Sequence, residues 1–351
     1  MNKAESAPKI KKESKNTIKV DFERTPFWER VRAKLINLYT IKKVVWYLFR
    51  FLLLLGISYV ILFPFFSKVS SSFMSPEDFV DVTVRLIPKH PTLSTYQAII
   101  KDNGYFTALL NTFVLSLVCA VIQTFICCLI GYGFAKFKFK GNSLLFLCVI
   151  FTMVVPHSTL QLSLFMKFRY FDILGIVNFL GGGVIDAINV LDGTTSINFI
   201  NSDWPLYIMS ITGLAYKNGL FIFLLRQFYR GIPDELEESA YLDGSGVFRT
   251  FISIIIPLSV TMMITVFMFS FCWQWTDNFY TELFYTTAGK KLLPDIIKIP
   301  KSLDTNYAGQ ALYTAAINNT CGIMIMAPLI VLYLFGQKYI VQGIERSGIT
   351  G

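Results

Sequence analysis

The sequence predicts an all-α polytopic membrane protein with six transmembrane helices, and three observations carry that prediction. Of 351 residues, 54% are hydrophobic and only 16% charged, and Phe alone fills 33 positions. An ordinary soluble domain carries about 25% charged residues. The apolar residues are gathered into runs close to the roughly 20 residues that a helix needs to cross a bilayer. The basic residues are unevenly placed: the first 43 positions hold twelve Lys or Arg against five acids. The net charge of +9 therefore reads as a tail held on the cytoplasmic side, and nucleic-acid binding is set aside.

Residues 1–43 form a basic cytoplasmic tail without the apolar core of a cleaved signal peptide. Phe27, Trp28, Val31, Leu35 and Leu38 give its second half a helical stripe, fit either to rest on the membrane surface or to belong to a solvated arm. The first span runs from about Val44 to Phe66, with Arg50 able to snorkel toward the headgroups. It forms one segment, 44–104, with the polar external stretch that follows. The second span, Ala108 to Gly133, has no charge, and Lys136, Lys138 and Lys140 after it mark a cytoplasmic loop. The third, Leu144 to Phe165, is interrupted by Pro156, His157, Ser158, Thr159 and Gln161.

Residues 170–204 are expected outside. Their apolar part, Ile173 to Ile185, is thirteen residues between Asp172 and Asp186, too short for a span. An Asp at a span centre costs about 2.5 to 3.5 kcal/mol. The region carries four Asp and no Lys or Arg, and it reads as an outside loop, in part re-entrant. The fourth span is expected at Leu206 to Leu225, the fifth at Phe251 to Trp275 and the sixth at Ala315 to Leu334. An outside loop, Asp277 to Asn319, joins the last two, and an even count returns the tail 346–351 to the cytoplasm.

Between the fourth and fifth spans lies Arg226 to Ser259, which reads as helix, sharp turn, second helix start. Pro233 suits a first helical position, Asp234 and Glu235 sit at the positive end of the dipole, and Gly244 suits the left-handed stop. Ile232, Leu236 and Ala240 recur at four-residue spacing, giving one apolar stripe and one acidic face.

Here the chain resembles a known family. Glu238-Ser239-Ala240, then Asp243-Gly244, nine residues, and Ile254-Ile255-Ile256-Pro257 resemble the Glu-Ala-Ala loop of ABC importer permeases, with Ser239 and Ile256 as mild departures. Leu224 to Phe228 and the ending from Gln337 to Gly351 further resemble the carbohydrate branch, in particular the second permease of maltose-type transporters. The resemblance implies a type I ABC importer fold, with residues 105–345 as the transport core, 170–204 as an external insertion and 230–250 as a cytoplasmic coupling loop. An extra span at 170–204 would move that loop outside, away from any ATPase. Glu238, Ser239, Ala240, Asp243, Gly244 and Pro257 become the ATPase-coupling residues. The implied partners are a second, homologous permease, a homodimeric ABC ATPase, an extracytoplasmic solute-binding protein and the lipid bilayer, in a bacterial inner membrane, with both termini cytoplasmic.

The chain has no phosphate-binding Gly-x-x-x-x-Gly-Lys-Ser/Thr loop, no metal motif and no nucleophile elbow, so it is read as no enzyme, without cofactor, ATP being bound by the partner. Cys119, Cys127, Cys128, Cys148, Cys272 and Cys321 lie in apolar runs and read as packing residues. Polar residues inside spans are the substrate-path candidates: Lys217, Gln161, and the cluster Gln274, Asp277 and Asn278 beside Trp273 and Trp275. Lys217 either lines a hydrated cavity or pairs with the partner permease, and the aromatics either contact sugar or form an interface belt. The rival readings are an importer for a polyamine, phosphate or amino acid, an ion-coupled transporter using Lys217 and Asp277 as relays, and a non-transporting scaffold.

Overall fold

An unpaired backbone N–H or C=O in hydrocarbon costs several kcal/mol, and a helix pairs all of its own. The apolar runs accordingly fold as helices. The computed structural model describes residues 38–172, 187–189, 195–286, 290–305 and 310–348, so positions 1–37 of the basic tail, with all of its stripe but Leu38, and the apolar run 173–185 lie outside the described residues. The chain divides into two compact units, residues 1–65 and 66–351. The described part of the first is the bulk of helix α1 (Leu38–Ser71), whose large side chains from Val44 to Phe63 are exposed.

The second unit holds α2 (Ser94–Asp102), α3 (Tyr105–Lys136), α4 (Asn142–Val154), α5 (Gln161–Arg169), α6 (Trp204–Ile211), α7 (Asn218–Arg230), α8 (Glu235–Leu242), α9 (Val247–Trp275), α10 (Phe279–Phe284) and α11 (Gln310–Gly348). At its centre α3 packs on α7 and α9, α9 on α11, and α4 on α7. Lipid is as apolar as the side chains, so close association relies on small residues and interhelical hydrogen bonds. Gly131 is one such contact: a Cβ there would stand 2.9 Å from Leu225 Cβ and 3.2 Å from the Arg226 nitrogen. Buried Gln123 is another, donating to Ser210 Oγ (3.2 Å) and accepting from Ser270 Oγ (2.8 Å), which joins α3 to α6 and α9. Trp275 is buried and its Nε1 donates to the Ile325 carbonyl at 3.0 Å, so it locks α9 to α11 and is no interface-belt residue.

Four described helices are long and apolar enough to cross a membrane, at Lys42–Ser71, Tyr105–Lys136, Val247–Trp275 and Gln310–Gly343. The third expected span is a pair of helices bent by 96° at Pro156, since proline lacks the N–H that would continue the ladder. The fourth, expected as one helix from Leu206 to Leu225, is two: α6 ends at Ile211, α7 begins at Asn218, and Gly213 (φ 74°) and Lys217 (φ 68°) turn the chain between them. The region expected as an external insertion also departs from the all-helical expectation, with a small antiparallel hairpin, Ala187–Asn189 paired with Thr195–Ile197.

Pro257 leaves its mark on α9. Without its N–H the helix widens just before it into a π turn, Phe251–Ile255, closed by the Ile256 N–H on the Phe251 carbonyl. Ser259 Oγ donates to the Ile255 and Ile256 carbonyls at 2.8 and 3.0 Å, a side-chain bond to the preceding turn of the kind that bends helices.

Candidate functional site

The two breaks face one space. A cavity of about 1360 Å³ is lined by the bend at Val155–His157, the whole turn Thr212–Lys217, Trp273 near the end of α9, and the segment Thr276–Tyr280 that leads into α10. Non-helical backbone at membrane depth is tolerated where it is enclosed by protein or lines a hydrated cavity, so the breaks and the cavity account for each other. At about 1.5 Å per residue, the thirteen residues of α7 place Lys217 roughly 20 Å from Arg230 along the helix.

Lys217 is held by aromatic faces. Its Nζ lies 4.6 Å from the Tyr216 ring centroid and 5.5 Å from that of Trp273, within cation–π range. It makes no ion pair among the described residues. Its left-handed backbone is sparsely populated for a residue with a Cβ, and such strain concentrates at functional sites. Beside it His157 Nδ1 is hydrogen-bonded to the Tyr280 hydroxyl at 2.9 Å, and the His157 and Tyr216 rings meet at 4.8 Å.

Of the five expected path residues, the structure brings Lys217, Asp277 and Asn278 to this cavity. Asp277 is otherwise engaged. Its Oδ2 accepts the Thr281 N–H at 3.0 Å and its Oδ1 the Tyr280 N–H at 3.4 Å, which serves the free amides at the start of α10. Burial pushes its carboxyl above the usual carboxylate range, opposed by those amide bonds. Asn278 is exposed and donates to Glu282 at 2.7 Å. Gln161 and Gln274 are not among the lining residues: Gln161 is exposed on the first turn of α5, past the bend, and Gln274 is half-buried with its amide nitrogen unpartnered. Polarity inside an apolar run flagged all five, but only the helix breaks decide which of them meet. His157 stood in the interrupted run, whereas Tyr216 and Tyr280 gave no sequence signal distinguishing them from other aromatics.

The expected coupling segment is a surface helix tied to its own bundle. Helix α8 starts at Glu235 after Asp234, so Pro233 lies two residues before it. Gly244 (φ 79°) ends it, with the Ser245 N–H on the Ala240 carbonyl at 2.9 Å. Lys136, at the end of α3, donates to the Ile232 carbonyl and to Asp234 Oδ1, both at 2.6 Å. Its Nζ also stands 3.4 Å from Glu237 Oε1, too poorly aligned for a hydrogen bond but a close ion pair. Glu237 Oε2 accepts from Tyr132 at 3.0 Å. Hydrogen bonding from Lys136 holds the exposed Asp234 below the usual carboxylate range. The sequence reading used Lys136 only as a topology marker and missed this tether; its partner, Glu237, stands one residue before Glu238.

Two details of the expected stripe are corrected. Ala240 is buried with Ile232 against the bundle, while Leu236 is exposed. The outward face is Glu238, Ser239, Asp243 and Gly244, flanked by Leu242, 89% exposed, and Phe248, 69% exposed. A second tie closes the outer side: Asp203 accepts from Lys290 (2.5 Å) and Tyr285 (2.5 Å), and the Asn201 N–H reaches the Phe284 carbonyl at 2.7 Å. It fastens the end of the insertion to α10 and the loop after it.

A helical bundle with broken spans around a cavity, and a tethered surface helix, defines a membrane permease. Residues 128–346 match the family described as binding-protein-dependent transport system inner membrane component, and the chain belongs to that family. Its members are membrane permeases of ABC transporters, not enzymes; the ATPase is a separate subunit. The galactooligosaccharides transport system permease protein GanQ of Bacillus subtilis is 25% identical over 314 residues, 89% of this chain and 98% of that protein. The arabinooligosaccharides transport system permease protein AraQ of the same organism is 24% identical over 310 residues, 86% of this chain and 94% of that one. The crystal structure of a bacterial ABC transporter involved in the import of the acidic polysaccharide alginate matches the fold with a TM-score of 0.64 at 19% identity, covering 85% of this chain and 97% of that chain.

Proposed function

We propose that this chain is one permease of a heterodimeric ABC importer for an oligosaccharide, with the cavity at Lys217 as its share of the cargo path and α8 as the ATPase-coupling helix. GanQ and AraQ, named for oligosaccharide transport, support the cargo class. The observation that carries the path is the coincidence of one bent span and one helix pair broken at Thr212–Lys217 at a single aromatic-lined cavity. Tyr216, Trp273 and Tyr280 offer flat apolar faces suited to sugar rings, and His157, Asn278 and Lys217 offer groups for hydroxyls.

The mechanism is alternating access. ATP-driven closure of the ATPase dimer moves α8 through Glu238, Ser239, Asp243 and Gly244, with Leu242 and Phe248 as its apolar footing. The Lys136 and Tyr132 bonds pass that displacement to α3, and the cavity opens outward to accept sugar from the docked binding protein. In this reading six spans cross the membrane, the third and fourth broken. Residues 1–43 and 346–351 are cytoplasmic, 44–104 form the first span and external segment, 105–345 the transport core, 170–204 an external insertion and 230–250 the coupling loop.

Purification of the chain from its native membrane, with and without Glu238→Lys and Gly244→Asp, tests this. A second permease and an ATPase should accompany it, and the variants should lose the ATPase or its coupling to uptake. Recovery of the chain alone, with flux following an ion gradient, would overturn the reading.

A further inference from the structure

We propose that the cargo is an acidic saccharide whose carboxylate is met by Lys217; this rests on the carbohydrate reading above. Among the described lining residues the charges are Lys167, Lys217 and Asp277. The carboxylate of Asp277 is turned to the amides of α10, at 3.0 and 3.4 Å, and forms no ion pair with Lys217. Lys217 makes no ion pair among the described residues, and its ammonium rests on Tyr216 and Trp273. Cation–π contact positions the ammonium and leaves its N–H donors to the cavity.

The backbone adds to the same field. Lys217 stands directly before α7, thirteen residues long, so the positive end of that helix opens at the ammonium. The opposing negative end belongs to α6, and three of its last four carbonyls are already taken: Ile208 by Thr212, Met209 by Leu214 and Ala215, Ser210 by Gly213. What remains is a net positive corner, walled by aromatic rings, inside a membrane protein. A bare ammonium at that depth is costly. A carboxylate arriving with the cargo would neutralise it through charge-assisted hydrogen bonds of the stronger kind. A neutral sugar would leave the charge uncompensated.

The test is direct binding to the assembled importer, permease pair and ATPase together in nanodiscs, without the binding protein, so that only the permease cavity selects. The probes are a galacturonate trisaccharide and the corresponding neutral galactose trisaccharide. The acidic probe should bind tighter by roughly tenfold or more, and that ratio should survive Lys217→Arg and collapse toward unity in Lys217→Met. Equal affinities in the native chain, or a ratio that survives Lys217→Met, would overturn the inference while leaving the carbohydrate reading intact. If Lys217→Met instead splits the permease pair on size exclusion with the ratio unchanged, the ammonium belongs to a carboxylate of the second permease and the inference fails. Binding of neither trisaccharide would remove the carbohydrate reading itself.

Discussion

Lys136 shows how one side chain ties two functions. Its ammonium is nearly enclosed and serves the Ile232 carbonyl, Asp234 and Glu237 at once, while Tyr132 takes the other oxygen of Glu237. Lys136→Met would leave Glu237 as a buried carboxylate without its cation, a change that costs about 3 to 5 kcal/mol. Thermal unfolding of the purified complex should register it, and Glu237→Gln, which removes the charge but keeps the Tyr132 acceptor, should cost less. Asp277 gives a pH signature. Because burial raises its folded pKa above the unfolded one, the folded state holds the proton more tightly. The resulting stabilisation is fully present below the unfolded carboxylate value of about 3.9 and is lost as pH rises through the folded value. Asp277→Asn retains a carbonyl acceptor for the α10 amides without that titration. Its melting temperature relative to the native chain should therefore climb as pH rises above the unfolded carboxylate value, and a flat difference would refute the assignment.

Helix crossings set the next scale, and Gly131 is where α3 and α7 come closest. With Leu225 Cβ at 2.9 Å and the Arg226 backbone nitrogen at 3.2 Å from a built Cβ, neither neighbour is a flexible side-chain end that can swing away. Gly131→Val should cost about 1 to 3 kcal/mol of overpacking, measured as a lowered unfolding midpoint in detergent. Such crossings were illegible in the sequence, where Gly131 is one glycine in an apolar run. The spans themselves were legible, because hydropathy and length decide whether a helix crosses a bilayer. The bend at Pro156 was legible for the same elementary reason, a missing N–H. The break between Ile211 and Asn218 was not: only Gly213 and Lys217 interrupt the hydropathy there, and left-handed backbone at Lys217 is decided by packing rather than by propensity. The motif from Glu238 to Pro257 placed the surface helix correctly, yet spacing alone put Ala240 with the outward residues, since which face of α8 lies on the bundle depends on Ile232 and the Lys136 tether.

At the scale of the whole molecule, α3 is the member that reaches both ends. It bears Tyr132 and Lys136 at the end nearest α8, and Gln123 further along it clamps Ser210 of α6 and Ser270 of α9. Helix α6 leads straight into the broken turn at the cavity, so a displacement of α8 has a hydrogen-bonded route to Lys217 through one rigid helix. Rigid elements with polar contacts at each end are suited to carry such coupling, but spatial intermediacy alone does not establish it. A native cysteine offers the measurement. Cys148 is exposed and lines the cavity, whereas Cys119, Cys127, Cys128 and Cys321 are buried. A water-soluble maleimide should therefore modify Cys148 first, at a rate that differs between the nucleotide-free and the vanadate-trapped complex as the cavity changes access. If α3 carries the motion, Lys136→Met should flatten that difference while the complex still assembles and hydrolyses ATP. A nucleotide-dependent rate that persists in Lys136→Met would place the transmission elsewhere, with the π turn and Pro257 at the other end of the coupling loop as the next segment to vary.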